Sequence, residues 1–371
     1  MSLRRESVLL LALLLLCGFF AAASPHFLSS RNLSLLMIEL SITAMLAIGM
    51  FLVLLPGHID LSAGSGVGLI GGIGAVLITR HEWPAPLAMA AGLAVALGLW
   101  FAMGSLIVRQ RIPAFIITLG GLLIFKGLFW KVIQSQTVPV VAGGQQNLYS
   151  YLTTYYLPSL LAYGLGALVI VGLIVARWRA RRERLAYGVP VEDGEVTFLK
   201  LFIAAQLVLL LLLITSQYRG LPLPAVILAV VAFAVWVLTQ HTPFGRYLYA
   251  IGGNEEAATI SGVPVRRVTV GAFTLMGAIV ALTGYMQTAY GGSTTTTVGD
   301  LMELDAVAAC VIGGVSLRGG RGTVLGVLFG ALIMACLING MTLLAVEPEN
   351  KFMARGLALI LAVWMDVRLA K

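Results

Sequence analysis

The sequence predicts an all-α polytopic membrane protein with broken or half-spanning elements and a weak two-halves internal repeat. Three observations predict it. The 371-residue chain is 59% hydrophobic and only 11% charged, with a mean hydropathy of +0.97, more apolar surface than a soluble domain can hide. Apolar runs long enough to cross a bilayer core of about 30 Å, which takes roughly 20 residues, recur from one end to the other. Lys and Arg gather in alternate loops between those runs, as membrane topology requires. The net charge of +8 is therefore a mark of topology and does not point to nucleic acid.

The runs fall at about 7–24, 33–55, 59–79, 85–108, 113–130, 157–176, 198–215, 222–238, 269–288, 322–345 and 353–367. A shorter stretch, 303–317, reads as a partial or broken span. Together they make about ten to twelve membrane elements in a single transmembrane domain over 1–371. Its first half is about 1–176, its second about 198–371, and a basic linker at 177–197 divides them. The first run has two readings. Arg4-Arg5, the apolar Leu9–Phe20 and Ala21-Ala22-Ala23 resemble a signal peptide, and equally an uncleaved first span. The span is preferred, because polytopic membrane proteins commonly begin this way.

One charge assignment places Arg4–Arg5, Arg109/Arg111, Arg177–Arg184, Arg246–Arg267, Arg318/Arg321 and Arg368/Lys371 on one side. By the positive-inside rule that side is the cytoplasm, so both termini are expected there in a multi-pass protein of a bacterial inner membrane. The uncharged stretch after Lys131, up to Tyr156, reads as an outer loop. Cys17, Cys310 and Cys336 lie in apolar runs without metal-ligand spacing, so neither a metal nor a disulfide is expected.

Within this apolar chain the polar segment 242–264, TPFGRYLYAIGGNEEAATISGVP, stands out. Asn254 is a good N-cap, and Glu255 and Glu256 fill a first helical turn, where the helix dipole favours negative charge. Ala257 and Ala258 would let another surface approach closely. Gly262 stands at a C′ position with Pro264 beyond it, so Glu255–Ser261 reads as a short capped helix outside the membrane core. Two turns are not stable alone, so the helix needs packing from its own bundle or from a partner. On spacing alone, an ordinary capped turn between two spans fits equally well.

Pathway candidates come from polar residues inside apolar runs, which normally face the bundle interior. Pro56-Gly57 ends one span, and Asp60, Ser62 and Ser65 can cap the next through its free N–H groups. That turn is either a plain helix cap or the lining of a pathway mouth. Glu39, Glu303 and Asp305 are the other acidic residues near the membrane, with Asn339 a neutral counterpart. The segments around Ile59-Asp60-Leu61 and Glu303-Leu304-Asp305 echo one another, since each is followed by a Gly-Gly step, at Gly71-Gly72 and Gly313-Gly314. Paired glycine-interrupted segments in two halves point to a transport pathway.

Catalytic readings find no site. The histidines are scattered, and no Gly-Lys pair occurs, so a phosphate-binding G-x-x-x-x-G-K-[ST] loop is absent. The glycines of Val311–Gly330 read as a tight turn with close helix contact. No catalytic residue and no cofactor are expected in this chain. If the protein uses ATP, a partner hydrolyses it.

Gly57–Ser65 (GHIDLSAGS), Ile117–Gly120 (ITLG), Thr242–Gly262, Glu303–Gly322 (ELDAVAACVIGGVSLRGGRG) and Gly330–Met341 (GALIMACLINGM) together resemble the sugar ABC-importer permeases of the ribose/xylose/arabinose branch. The wording ELDAVAACVIGG and the terminal Ala362–Asp366 are most similar to the D-xylose members, although His58 and Ala63 depart from the family pattern. The resemblance implies ten transmembrane helices, so some runs are broken, and a permease homodimer in the lipid bilayer. It implies cytoplasmic ABC ATPase subunits and a periplasmic sugar-binding protein as partners. It makes 242–264 the coupling segment, with Gly252, Gly253, Asn254, Glu255, Glu256, Ala257, Ala258, Ser261 and Gly262 as the contact to the ATPase. Three other classes remain to be separated. A branched-chain amino-acid permease would respond to leucine, an ion-coupled transporter would drive uptake without an ATPase, and a membrane enzyme would turn over substrate without transport.

Overall fold

A computed structural model describes residues 2–141, 143–191 and 193–369. The side chains of Arg4, Arg5, Met365, Asp366 and Arg368, and the whole of Lys371, lie outside the described residues. Among the described residues there are fifteen helices: α1 (Ser2–Ala23), α2 (Ser30–Leu54), α3 (Ala63–Thr79), α4 (Ala85–Gln110), α5 (Ala114–Ile133), α6 (Leu148–Thr154), α7 (Ser159–Ala186) and α8 (Gly194–Ser216), then α9 (Leu223–His241), α10 (Pro243–Gly253), α11 (Glu255–Ile260), α12 (Val265–Gly291), α13 (Met302–Ile312), α14 (Val324–Leu343) and α15 (Pro348–Leu369). Eight of them are long and apolar enough to cross a membrane. The fold is all-α and polytopic, as expected, because a chain in lipid must satisfy its backbone polar groups within its own helices.

Many helix starts carry a local signal. Ser29, Thr242, Asn254 and Thr323 each accept a hydrogen bond from a first-turn N–H. Asn147 and Ser150 form a reciprocal capping box on α6. The basic interval 177–197 is mostly helix, not linker: α7 continues to Ala186 and α8 begins at Gly194. Arg and Glu are good helix formers, and the Arg182 guanidinium lies 3.6 Å from the centre of the Trp178 ring, one turn back.

The core is organised by α2 and the two residues that follow it, with every residue from Ala44 to Pro56 buried. α3 packs on α12, α4 and α5, while α13 packs on α2, α14 and α15. α4 packs on α12 as α14 packs on α2. The sets α2–α5 and α12–α15 thus make matching contacts with exchanged roles. Their directions are opposed: α2 ends, and α12 begins, at the end of the bundle that carries α11. This is an inverted-topology repeat, the arrangement that the paired IDL and ELD segments suggested.

Each set contains one broken span. The run expected at 59–79 is helical only from Ala63, because after Pro56-Gly57 the chain rises as non-helical backbone before α3 starts. Gly66 lies against Val280, and Gly71 against Gly284 and Thr288, so α3 runs parallel to α12 and starts beside its middle. α13 has 11 residues, a length of about 16 Å at 1.5 Å per residue, and so spans only half a bilayer. Cys310 Sγ lies 3.2 Å from the Ala47 carbonyl, which sets α13 beside the middle of α2. The N-termini of α3 and α13 meet at mid-depth, where Gly64 packs on Gly299 and Glu303.

At the end opposite α11, two antiparallel pairs of two-residue strands tie the loops together. Val138–Pro139 pairs with Ser293–Thr294, and Tyr156–Leu157 pairs with Leu221–Pro222. α1 lies against α14, with Phe20 packed over Gly340 and Cys17 Sγ 4.0 Å from Cys336 Sγ.

Candidate functional site

The segment 242–264 folds as two helices, α10 and α11, joined at Asn254. Asn254 Oδ1 accepts a hydrogen bond from the Ala257 N–H at 2.9 Å. Gly262 adopts φ +82° just beyond the C-cap, Ser261, and the Val263 N–H returns to the Ala258 carbonyl at 3.0 Å. The helix is one residue shorter than expected at its C-terminal end. Gly253, Asn254, Glu255, Glu256, Ala257, Ser261 and Gly262 are exposed, and Ala258 is buried against the bundle. Ile260 is 82% exposed on the same short helix. An acidic first turn, the exposed Ala257 and a projecting Ile260 make a surface suited to a protein partner.

Gly252 does a different job. Its backbone sits so close to the Leu55 carbonyl and the Gly320 N–H that a Cβ there would overlap both. The Gly320 N–H donates to the Leu55 carbonyl at 2.9 Å, and the Gly319-Gly320 turn has positive φ at both residues. The exposed helix is therefore tied through α10 to the end of α2 and to the turn between α13 and α14. These are the two arms of the inverted repeat.

Between mid-depth and the end opposite α11, a cavity of about 330 Å³ opens between α2, α12, α13, α14 and α15. Its polar lining includes Glu39, Gln287, Tyr290, Asp300, Asp305 and Arg355. A hydrogen-bond chain holds one wall. Tyr290 donates to Glu39 Oε1 at 2.9 Å, and Asn339 Nδ2 donates to Glu39 Oε2 at 3.1 Å. Asn32 Nδ2 then donates to Asn339 Oδ1 at 2.9 Å. On the other wall Arg355 Nη1 lies 3.4 Å from Asp305 Oδ2, and buried Arg355 Nε has no partner. Asp300 pairs with Lys126, whose ammonium also donates to the Thr296 carbonyl at 2.9 Å. Among the described residues, no group of three or more His, Cys, Asp or Glu side chains could hold a metal ion. The cavity offers fixed acceptors and donors that match neutral hydroxyl groups.

Of the pathway residues expected from the sequence, Asp305 lines this cavity and Asn339 orients Glu39 behind its wall. Glu303 is buried at the junction of the two helix starts, its carboxylate against Gly64. Asp60, Ser62 and Ser65 are buried elsewhere. Asp60 accepts from Trp100 Nε1 and Ser62 Oγ, both at 2.6 Å, and from the Ser62 N–H at 2.9 Å. Trp100 and Phe125, with ring centroids 5.2 Å apart, fill that side of the bundle. Nor do Ser62 and Ser65 cap α3: Ser62 makes no side-chain cap bond, and Ser65 Oγ donates to the Ser62 carbonyl at 3.0 Å. Only Asp60 takes up a backbone N–H there. The group holds the break before α3 in shape. Asp60→Asn keeps the volume but turns one acceptor into a donor among these partners. It is expected to lower stability by about 1–3 kcal/mol, read as a lower unfolding midpoint in detergent.

Tyr290, Gln287, Asp300 and Arg355 were missed in the sequence. Glu39 and Asp305, carboxylates within or at the edge of apolar runs, were the available signals.

The family described as branched-chain amino acid transport system / permease component matches residues 32–363. The xylose transport system permease protein of Escherichia coli (strain K12) is 36% identical over 360 residues, covering 97% of this chain and 91% of that protein. Its namesake from Haemophilus influenzae (strain Rd) is 37% identical over 362 residues, 97% of this chain and 95% of its own. The ribose import permease protein of Escherichia coli (strain K12) is 31% identical over 363 residues, 97% and 93% of the two chains. No solved structure matches the chain.

Proposed function

The chain belongs to the branched-chain amino acid transport system / permease component family, and from that premise we propose that it is the membrane subunit of an ATP-driven ABC importer carrying a monosaccharide, D-xylose first among the candidates, into the cytoplasm. The observation that carries this reading is the set of polar side chains around the cavity between α2 and α12–α15 of the inverted repeat. Glu39, Asp305, Arg355, Gln287 and Tyr290 line it with hydrogen-bonding groups, as a pentose needs, beside the apolar Ile42, Leu46, Met302 and Ile338. The xylose and ribose permeases among its relatives support the same substrate class.

In this mechanism two copies of the chain form the pathway in the bilayer, and both termini face the cytoplasm with α11. Cytoplasmic ABC ATPase subunits dock on Asn254–Gly262 and hydrolyse the ATP, for which this chain carries no site of its own. A sugar-binding protein in the periplasm delivers substrate at the end tied by the short strand pairs. Closure of the ATPase presses on α11. Gly252 passes the displacement to Leu55 and to Gly319-Gly320. Both arms then tilt about the junction of α3 and α13 and change the opening of the cavity. Such a drive needs contacts that differ between the two states, and α11 is placed to make them.

Co-reconstitution with the candidate ATPase and binding protein tests the proposal. ATP hydrolysis is expected to rise severalfold with xylose-loaded binding protein, less with ribose or arabinose, and not with leucine. Stimulation by leucine, or by none of the sugars, overturns it. Uptake by the chain alone on an ion gradient would place it in another transporter class.

A further inference from the structure

We propose that the groove between α4, α9, α10 and α12 binds one anionic glycerophospholipid, its head group on Arg109, Arg266 and Arg267 and an acyl chain inside. The groove has a volume of about 690 Å³ and lies apart from the cavity lined by Glu39 and Asp305. Its polarity is graded along its length. Arg109 sits in the last turn of α4, and Arg266 and Arg267 in the first turn of α12, so all three crowd the mouth at the α11 end. Phe101 on α4 and Leu275 on α12 lie two turns deeper, about 12 Å from the mouth at 1.5 Å per residue. Leu238, Phe244 and Val270 complete an apolar wall.

Charge complementarity selects the occupant. Among the described residues none of the three arginines has an ion-pair or hydrogen-bond partner, and no Asp or Glu lines the groove. A cationic rim over an apolar slot at a span boundary fits a phosphate ester carrying a hydrocarbon tail. A free phosphate would use only the rim, and a zwitterionic lipid would gain little from three positive charges. A protein partner would need to thread a narrow apolar segment past them. Phe244 of α10 packs against Gly271 of α12 in the groove wall, so the bound tail would lie against the helix that carries α11.

The full-length chain in detergent is titrated with phosphatidylglycerol, phosphatidylcholine or inorganic phosphate, and bound lipid is counted by native mass spectrometry. Phosphatidylglycerol is expected to bind well above phosphatidylcholine. Each arginine removed should weaken it about fivefold, so Arg109→Gln, Arg266→Gln and Arg267→Gln together weaken it on the order of a hundredfold. Thr274→Trp, which fills the slot and leaves the rim intact, is also expected to expel the lipid; its unfolding midpoint confirms that the variant folds. Unchanged retention of phosphatidylglycerol in the triple variant overturns the proposal. So does complete displacement by inorganic phosphate, which would mean the rim alone binds. A lipid-independent change in oligomeric state of the triple variant also overturns it, marking the groove as a protein interface.

Discussion

Reversing both charges on the first turn of α11, Glu255→Arg with Glu256→Arg, is expected to cut sugar uptake by the reconstituted importer at least about a hundredfold. The two arginines would stand at a helix N-terminus, where the dipole disfavours positive charge by about 0.3–1 kcal/mol each. A six-residue helix held by one Asn254 cap bond has little reserve against that. They would also present repulsion to a surface complementary to acids, and like charges brought together at an interface cost several kcal/mol. ATPase co-purification should fall together with uptake. Gly252→Ala is the companion variant. It leaves the exposed face untouched but places a methyl group against the Leu55 carbonyl and the Gly320 N–H. It is expected to keep ATPase association and lose uptake, because docking survives while transmission to α2 and the α13–α14 turn does not. Unchanged uptake and association after the double reversal would remove α11 from the coupling role.

The second large effect is expected at the junction of the half-spans. Gly299 has φ +88°, and a Cβ on it would overlap the Gly64 carbonyl and press on the Gly68 N–H. Gly299→Ala combines the left-handed backbone penalty of about 1–2 kcal/mol with overpacking of about 1–3 kcal/mol. A loss of about 2–5 kcal/mol is therefore expected, seen as a marked drop in unfolding midpoint and loss of uptake. Gly143→Ala separates the two causes. Gly143 also has positive φ, at +61°, but nothing lies within 4 Å of its would-be Cβ. It should show the backbone penalty alone. Equal effects at the two positions would mean that the close approach of α3 and α13 carries no weight.

Much of the exposed helix α11 was legible in the sequence because caps are local. Asn254, the two glutamates and Gly262 lie within nine residues of one another, and short-range backbone geometry settles their roles. The half-span at 302–312 was foreshadowed by its shortness, and its echo of the IDL segment by the Gly-Gly steps. The cavity was not legible. Its hydrogen-bond chain joins Asn32 and Glu39 to Tyr290 and Asn339, and such contacts, 251 to 307 positions apart, leave no periodic trace. Asp60, Ser62 and Ser65 looked equally suited to a pathway. Trp100 and Phe125 close that side, and nothing local to those residues announces it.

By itself, the sequence determined that this is a polytopic helical membrane protein with an acidic capped helix outside the apolar core. Hydropathy and capping act over a turn or a span, and a bilayer allows few other solutions for such a chain. Only the tertiary structure decided which buried polar groups face open space and which are sealed in packing. It also decided that Gly252 turns inward while Asn254–Ala257 face outward. Those choices depend on how helices far apart in the chain approach one another. Approach distance is set by small residues and bulky side chains on both partners at once.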